Sequence, residues 1–256
     1  MLKVSASRLK TFLNCRYQYW CKYVLKLPDP SGDKANLGSA IHTILECVER
    51  PGKNRSQLVL EGRKSGEVPK SLWRQWTLLK ARYKLETAFD KDAKKLILNG
   101  LLYAIDLKAK VLQVEGEFDI PLDNNISLKG YIDKTLLVGN KLVDTQDYKT
   151  GVPYKEDVCN SDPQGFIYMW AMKKLYPQYP QHVFTFQFLK NNTSITISKT
   201  QKQIDAFIRF VGAQGYLMDR LTREEALCQK SWKCNMCKFK NAIPSHNYKG
   251  CPAQSY

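Results

Sequence analysis

The hydrophobic pattern changes its period along the chain, and this change restricts the fold more than any other feature. Apolar residues recur at helical spacing in the first 109 residues, for example at Leu9, Phe12 and Leu13. From about residue 110 the period shortens to that of strands, and from Thr200 a long helical pattern follows. A chain of 256 residues with this order predicts an α/β fold with a mixed central sheet flanked by helices.

Turn residues and the local period set the expected boundaries. Helices are predicted over 5–27, 37–48, 71–98, 163–176 and 200–221. Strands are predicted over 110–122, 126–137, 142–148, 183–189 and 194–198. The polar stretch 51–69 is predicted to be a loop. We expect a single domain over 1–256, made of a helical part (1–109), a catalytic sheet core (110–200) and a final helix with a Cys-rich segment (201–256).

Charge and cysteine content exclude several classes of protein. Lys and Arg number 40 against 24 Asp and Glu, and a net charge of +16 favours a polyanionic partner such as nucleic acid or an acidic membrane surface. No apolar run approaches the roughly 20 residues of a membrane span. The stretch Met1–Leu13 contains Lys3, Arg8 and Lys10 and does not resemble a signal peptide. We therefore expect a cytoplasmic protein, in which eight cysteines favour metal ligation or burial over disulfides.

The sharpest motif joins two aspartates across a predicted hairpin. Gly130-Tyr-Ile-Asp133 is followed, thirteen residues later, by Asp147-Tyr-Lys149-Thr-Gly151. In neighbouring strands Asp133 and Asp147 can approach each other, and a divalent cation would relieve their repulsion. Asp147 and Lys149 alternate onto one face of their strand, which predicts an ammonium beside the metal. By itself this pattern is also compatible with an ordinary ion pair at an exposed strand end.

Together with other segments in the same order, this motif resembles the PD-(D/E)XK nucleases, in particular their RecB/AddB-like branch, which includes nucleases of CRISPR adaptation. The resemblance runs from Ser5 to Tyr168 and implies a restriction-endonuclease-like fold. The further matching segments are Ser5-Ala-Ser-Arg-Leu through Phe12 to Cys15 and Tyr19, Gly38-Ser-Ala-Ile-His42, and Gln164 to Tyr168. Where the family has Pro before its first acid, this chain has Ile132.

The resemblance assigns roles to individual residues. It implies that Asp133, Asp147 and Lys149 are catalytic and that His42, Asp133, Asp147 and the carbonyl of Tyr148 bind Mg²⁺ or Mn²⁺. Gln164 and Tyr168, one helical turn apart, are expected to brace the site and contact nucleic acid. We leave Glu115 outside the predicted site, because the family pattern is loose there.

The cysteines form a second motif near the end of the chain. Cys234 and Cys237 are separated by two residues, which brings two thiolates onto one metal or cluster. By the same resemblance, Cys15, Cys234, Cys237 and Cys251 would hold a [4Fe–4S] cluster. The family has a shorter gap before its last cysteine, so Cys228 stays open as a ligand. A zinc site made of Cys234, Cys237, His246 and Cys251 is the alternative.

These observations predict a metal-dependent DNA exonuclease that acts in replication, recombination or repair. Two alternatives stay open. One is a non-catalytic, zinc-containing nucleic-acid-binding module. The other is a nuclease subunit that is active only with a helicase, a recombination protein or a CRISPR integration complex; the chain lacks a phosphate-binding loop of its own. A phage, a mobile element and a bacterial repair pathway suit such a nuclease equally well.

Overall fold

A computed structural model of the chain describes residues 1–50 and 52–254; the last two residues of the predicted domain, Ser255 and Tyr256, lie outside the described residues. The strands are β1 (Leu2–Val4), β2 (Lys110–Pro121), β3 (Ile126–Val138), β4 (Leu142–Lys149), β5 (Gln181–Phe188) and β6 (Thr193–Ile197). The helices are α1 (Ala6–Asn14), α2 (Arg16–Tyr19), α3 (Asp33–Glu49), α4 (Lys53–Ser65), α5 (Lys70–Arg82), α6 (Asp90–Asn99), α7 (Glu156–Asn160), α8 (Pro163–Leu175) and α9 (Gln201–Asp219).

The contacts divide the chain into two compact units. The terminal unit comprises residues 1–30, 119–129 and the described residues from 205 onward. The central unit comprises residues 31–118 and 130–204. Strands β2 and β3 each contribute residues to both units. The prediction of a single domain over the whole chain stays a prediction.

The sheet of the central unit is mixed. Strands β3 and β4 form an antiparallel hairpin, in which Lys134 is opposite Gln146 and Val138 is opposite Leu142. Strand β5 lies parallel to β4 on its other side, and β6 returns antiparallel to β5. Strand β2 pairs with β3. Helices α3 to α6 bury one apolar cluster that also includes Tyr148 of the sheet, and the predicted α/β architecture with a helix-flanked mixed sheet is confirmed.

In the terminal unit, the chain begins with strand β1, which pairs parallel with the first residues of β3. The predicted helix over 5–27 is interrupted at Cys15, whose extended backbone ends α1 and begins α2. Ser5 is the N-cap of α1 and accepts a hydrogen bond from the Arg8 backbone N–H at 3.2 Å. Within the described residues, every helix is too short or too polar to cross a membrane.

The prediction of a loop over 51–69 was wrong, because helix α4 occupies Lys53–Ser65. This helix is polar around most of its circumference, and over residues 54–65, whose burial is described, only Val59 and Gly62 are buried. Since a hydrophobic period is read from a stripe of apolar residues, so narrow a stripe gives no signal in the sequence. The helix ends at Gly66, which adopts the left-handed conformation common at helix C-termini.

The single helix predicted over 71–98 is two helices, α5 and α6, joined by residues 83–89. Lys84 has a left-handed backbone (φ 53°). Residues 83–89 contain no Gly or Pro, so the sequence gives no sign of this turn. The indole of Trp76 in α5 is fully buried and donates a hydrogen bond to Asp90 Oδ1 at 2.8 Å. Trp76 is therefore a core residue and presents no face to a nucleic-acid base.

Candidate active site and cysteine-lined cavity

The hairpin β3–β4 brings the two motif aspartates together in the central unit. Continuing the register of Lys134 and Gln146 by one pair places Asp133 opposite Asp147. One Asp133 oxygen, Oδ2, accepts the backbone N–H of Tyr148 at 2.6 Å. Asp147 is 6% exposed. The approach of the two carboxylates that the motif predicts is thus present, with Asp133 near the middle of β3 and Asp147 near the end of β4.

His42 reaches the same place from helix α3. Its Nδ1 lies 3.1 Å from Asp133 Oδ1, so both Asp133 oxygens have a partner. Four residues earlier on α3, Gly38 allows the helix to approach the end of β4, since a Cβ at this position would lie 3.1 Å from the Thr150 hydroxyl oxygen. The spacing Gly-x-x-x-His therefore has a steric reason. Gly38 lets the helix lie close to the end of β4, and His42, one turn later, can then reach Asp133.

Glu115 is the site residue that sequence reasoning left out. It lies in strand β2, and ligand atoms of His42, Glu115 and Asp133 all lie within 4.8 Å of one another. Among the described residues, this is the group of His, Cys, Asp and Glu side chains that meets the spacing of a metal site. Glu115 has a left-handed backbone (φ 47°) inside its strand, a conformation that often marks a functional position.

Lys149, Asp147 and Gln164 form a connected group. Lys149 Nζ lies 2.5 Å from Asp147 Oδ2 and donates to Gln164 Oε1 at 3.1 Å. The Gln164 amide nitrogen donates to Asp147 Oδ1. Gln164 stands in the first turn of α8, where the N-cap Asp162 accepts its backbone N–H at 2.8 Å. The predicted bracing residue therefore contacts the predicted metal ligand and the predicted catalytic lysine at once.

Tyr168, one turn further along α8, contacts the strand that carries Asp133. Its hydroxyl donates to the carbonyl oxygen of Tyr131 at 2.8 Å. The rings of Tyr168 and Phe118 lie over Gly130, where an added Cβ would come within 2.9 Å and 2.6 Å of their carbon atoms. This close approach explains why the motif contains a glycine three residues before its first aspartate.

The carboxylates of this site are crowded enough to perturb one another. Burial and the Asp133 carboxylate raise the pKa of Asp147. Burial, Asp133 and Glu46 raise the pKa of Glu115 to about 7. Burial lowers the pKa of His42, but the Asp133 carboxylate outweighs burial and raises this pKa to about 9. Each of these shifts favours the protonated form of its group, and a divalent cation would relieve the same repulsion between carboxylates.

In the terminal unit, five thiols line one cavity of about 450 Å³: Cys15, Cys228, Cys234, Cys237 and Cys251. All are free thiols. The four predicted cluster ligands therefore surround one space, together with Cys228, which the sequence left open. The remaining described cysteines do not line this cavity: Cys21 and Cys159 are buried elsewhere, and Cys47 is exposed.

The fifth thiol and the histidine of the zinc alternative differ in position. Cys228 Sγ lies 3.3 Å from Cys251 Sγ. His246 is exposed, its Nδ1 lies 2.9 Å from the Ser245 hydroxyl, and it is absent from the described lining of the cavity. Burial raises the pKa of Cys237. Any cation that deprotonates these thiols would have to offset that burial.

Known proteins similar to this chain process nucleic acids. A family model described as the PD-(D/E)XK nuclease superfamily matches residues 3–242. Three curated relatives are named as subunits of an ATP-dependent helicase/deoxyribonuclease. They come from Streptococcus agalactiae serotypes Ia, V and III, and each is 27% identical over 158 residues. This alignment covers 58% of the chain but only 14% of each relative.

One solved structure has a similar course over most of the chain. It is the crystal structure of a candidate exonuclease from Eubacterium rectale, with a TM-score of 0.49 and 14% sequence identity. The match covers 93% of this chain and 88% of that one.

Proposed function

The chain belongs to the PD-(D/E)XK nuclease superfamily, and on this premise we propose that it is a metal-dependent DNA nuclease acting as an exonuclease. The observation that carries the proposal is the convergence of His42, Glu115 and Asp133 in the central unit, with Asp147 and Lys149 beside them. Acidic side chains that hold a cation and a neighbouring ammonium are the groups that phosphodiester hydrolysis requires.

The donor set fits a hard divalent cation. Carboxylate oxygens from Glu115, Asp133 and Asp147 with one imidazole suit Mg²⁺ or Mn²⁺. Burial and the neighbouring Asp133 carboxylate raise the pKa of both Asp147 and Glu115, and a bound cation would offset this effect. We propose that these residues and His42 hold the ion, with the Tyr148 carbonyl completing its shell. A bound ion would lower the pKa of water and stabilise charge on the phosphate.

Lys149 is proposed to act as a cation and not as a base. Burial lowers its pKa, but Asp147 outweighs burial and raises it, so the side chain remains an ammonium at neutral pH. In that form Nζ can donate hydrogen bonds to the attacking water or to a phosphate oxygen, and it stabilises the charge that develops there. It cannot accept the proton of the water, which passes to solvent or to a carboxylate.

Gln164 and Tyr168 are proposed to hold the catalytic side chains in place and to contact the bound nucleic acid. Gln164 joins Asp147 to Lys149, and Tyr168 fixes the backbone before Asp133 through the carbonyl of Tyr131. Both side chains come from one face of α8, so a nucleic-acid strand that contacts this face also lies beside the candidate active site. Their removal would loosen the alignment of water and phosphate more than the binding of the ion.

We further propose that Cys15, Cys234, Cys237 and Cys251 hold a [4Fe–4S] cluster. The cavity of the terminal unit supports this proposal, because all four thiols line it. His246 is exposed and absent from the described lining of the cavity, which disfavours the zinc alternative. Cys228 remains an alternative ligand through its contact with Cys251.

The biological setting is proposed from the relatives. Their name couples deoxyribonuclease activity to a helicase, but the chain spans only 14% of their length. We propose DNA ends as substrate, repair or recombination as the process, and a helicase as a partner supplied by another chain. A net charge of +16 supports a polyanionic substrate.

The test is cleavage of labelled DNA by protein purified without oxygen. Linear and circular DNA, single- and double-stranded, are incubated with Mg²⁺, with Mn²⁺ and with EDTA. We expect metal-dependent degradation of linear DNA, lost in Asp147→Asn and retained in Asp92→Asn, which neutralises an exposed carboxylate of α6. Equal degradation of circular DNA would contradict the exonuclease assignment. A folded protein that binds DNA and cleaves none of it in any metal would instead be a binding module or a partner-dependent nuclease.

A further inference from the structure

A buried ionic network connects three of the four elements that carry the candidate metal ligands. Its centre is Glu49, the last residue of α3, which is fully buried. Lys134 of β3 is also fully buried, and Tyr148 of β4 is 3% exposed. Helix α3 carries His42, β3 carries Asp133 and β4 carries Asp147, so each of these three elements contributes one member to the network.

The hydrogen bonds of Glu49 use both carboxylate oxygens. Oε1 accepts from Lys134 Nζ at 2.6 Å and from the Tyr148 hydroxyl at 2.8 Å. Oε2 accepts from Arg55 Nη2 at 3.0 Å and Nε at 3.3 Å. Lys134 also donates to the carbonyl oxygen of Ala104 at 2.7 Å. Burial raises the pKa of Glu49, but Lys134, Tyr148 and Arg55 outweigh it and keep the carboxylate ionised.

Each member of the network is close along the chain to a group of the site. Lys134 follows Asp133 directly, and strand alternation turns their side chains to opposite faces. Glu49 lies seven residues after His42, two helical turns along the same face of α3. A shift of Glu49 along its helix axis would therefore move His42 by an equal amount.

Tyr148 connects the network to the site directly. Its backbone N–H donates to Asp133 Oδ2, while its hydroxyl donates to Glu49 Oε1. Its ring also lies edge-on to the His42 ring, with 6.0 Å between the centroids. Tyr148 thus contacts the candidate ligand Asp133 through its backbone, the candidate ligand His42 through its ring, and Glu49 of the network through its hydroxyl.

A buried ionic network is a costly way to join helices and strands, because its charges lose their hydration. Apolar side chains would hold the same elements together without that cost, but they permit small sliding movements. Hydrogen bonds between charged groups are directional and tolerate only a few tenths of an ångström. The property that this network adds is therefore a fixed register of α3 against β3 and β4.

We propose that Glu49, Lys134 and Tyr148 are positioning residues that set the metal affinity of the site by fixing His42 relative to Asp133 and Asp147. The inference rests on the proposed function, since it presumes that these ligands bind a divalent cation. Side chains that orient metal ligands typically change metal affinity or activity 10- to 100-fold when they are removed.

The first test is Tyr148→Phe, which removes one hydroxyl and leaves the ring and the other donors to Glu49. Binding of Mn²⁺ to the protein without DNA is followed by the loss of the electron paramagnetic resonance signal of free Mn²⁺. We expect the dissociation constant to rise about tenfold. Cleavage should fall at limiting Mn²⁺ and recover at saturating Mn²⁺. The control Tyr248→Phe removes another buried hydroxyl, which donates to the Phe239 carbonyl at 2.7 Å in the terminal unit, and should leave Mn²⁺ affinity unchanged.

The second variant, Glu49→Gln with Lys134→Met, removes both opposite charges together and so avoids leaving one of them unpaired. It should also bind Mn²⁺ about tenfold more weakly while remaining folded. Mn²⁺ affinities within twofold of the wild type in both variants would overturn the inference, even if their melting temperatures fall. A wild-type protein that neither binds Mn²⁺ nor cleaves DNA would overturn the proposed function and this inference with it.

Discussion

Glu115 shows at the scale of one residue how a strand can present a ligand. For a residue with a side chain, a left-handed backbone costs roughly 1–2 kcal/mol, yet Glu115 adopts φ 47° inside β2. Its carboxylate lies beside His42 and Asp133, although burial and the surrounding carboxylates raise its pKa to about 7. A cation bound between these groups would compensate both costs.

Replacing Glu115 by Gln should therefore impair metal binding while preserving the fold. The amide keeps one oxygen but removes the negative charge, and we expect Mn²⁺ to bind at least about tenfold more weakly. Binding is measured by paramagnetic resonance and the fold by circular dichroism. Glu117→Gln changes an exposed residue of the same strand and is the matched control. Equal Mn²⁺ affinity in Glu115→Gln and the wild type would remove Glu115 from the site.

Lys149 allows metal binding and catalysis to be separated. Met keeps most of the apolar stem of lysine and lacks the charge. Because the ammonium repels a cation held by Asp147, Lys149→Met should bind Mn²⁺ at least as tightly as the wild type. Its cleavage rate should fall about 100-fold or more, since a hydrogen-bond donor to the reacting groups is lost. Lys174→Met, an exposed change on α8, should cleave normally. Loss of Mn²⁺ binding in Lys149→Met would contradict this role.

At the scale of elements, Gly130 allows side chains of α8 and β2 to pack closely on β3. A methyl group there would lie within 2.6 Å of the Phe118 ring and 2.9 Å of the Tyr168 ring. We expect Gly130→Ala to lower the free energy of unfolding by about 1–3 kcal/mol, as overpacking does. Denaturant titration measures the change. Gly151→Ala is the control, because nothing lies within 4 Å of an added Cβ there. Equal stabilities would mean that the rings move aside freely.

The turn between α5 and α6 is fixed by Asp90, which accepts hydrogen bonds from Trp76 and Lys80. Burial raises the pKa of Asp90, but these two donors outweigh it and lower the pKa below its usual 3.8. The stabilisation is therefore present above pH 3.8 and is lost as pH falls through the lowered pKa of the folded state.

Asp90→Asn should cost about 1 kcal/mol near pH 7, since the carboxylate is partly exposed. The difference from the wild type should shrink below about pH 4, where the unfolded wild type takes up its proton. Unfolding titrations of both proteins across pH 3 to 7 measure it. A difference that stays constant over this range would show that the charge of Asp90 contributes nothing.

Sequence patterns predicted the elements whose burial is reflected in a clear pattern of apolar and turn residues. Helix α3 was expected because its buried residues recur at helical spacing. Strand β4 and helix α8 are buried almost continuously and were expected from segments that end at Gly or Pro residues. Helix α4 was missed, since its buried stripe is too narrow, and the break before α6 was missed because Lys84 supplies a turn without Gly or Pro. Elements that depend on one or two long-range contacts leave no periodic signal.

The same limit applies to the site. His42, Asp133 and Asp147 were predicted together because the motifs of the resemblance place them in order, and the structure brings them to one place. Glu115 reaches the site through an irregular backbone conformation in its strand. Glu49 is connected to the site by residues distant in the sequence, such as Tyr148, whose hydroxyl lies 2.8 Å from Glu49 Oε1. Spacing along the chain does not carry information of this kind.

At the scale of the whole molecule, the terminal unit joins the two ends of the chain around the cysteine-lined cavity. The segment after α9 has few buried apolar residues, among them Ala226, Phe239 and Tyr248. So small a core provides little hydrophobic stabilisation. Five thiols gathered at one cavity suggest where the missing stabilisation comes from, because metal binding to such a site contributes directly to folding.

We therefore predict that Cys237→Ala loosens this segment and spares the central unit. Protein purified without oxygen should contain about four iron atoms per chain if the cluster is present and one zinc if the alternative holds. In the variant, backbone amides of residues 228–251 should exchange with deuterium at least about tenfold faster, while those of β4 keep their protection, because the central unit has a core of its own. Cys47→Ala, which changes an exposed cysteine outside the cavity, is the control. Unchanged exchange in Cys237→Ala would mean that ordinary packing, and not a metal bound through Cys237, orders the segment.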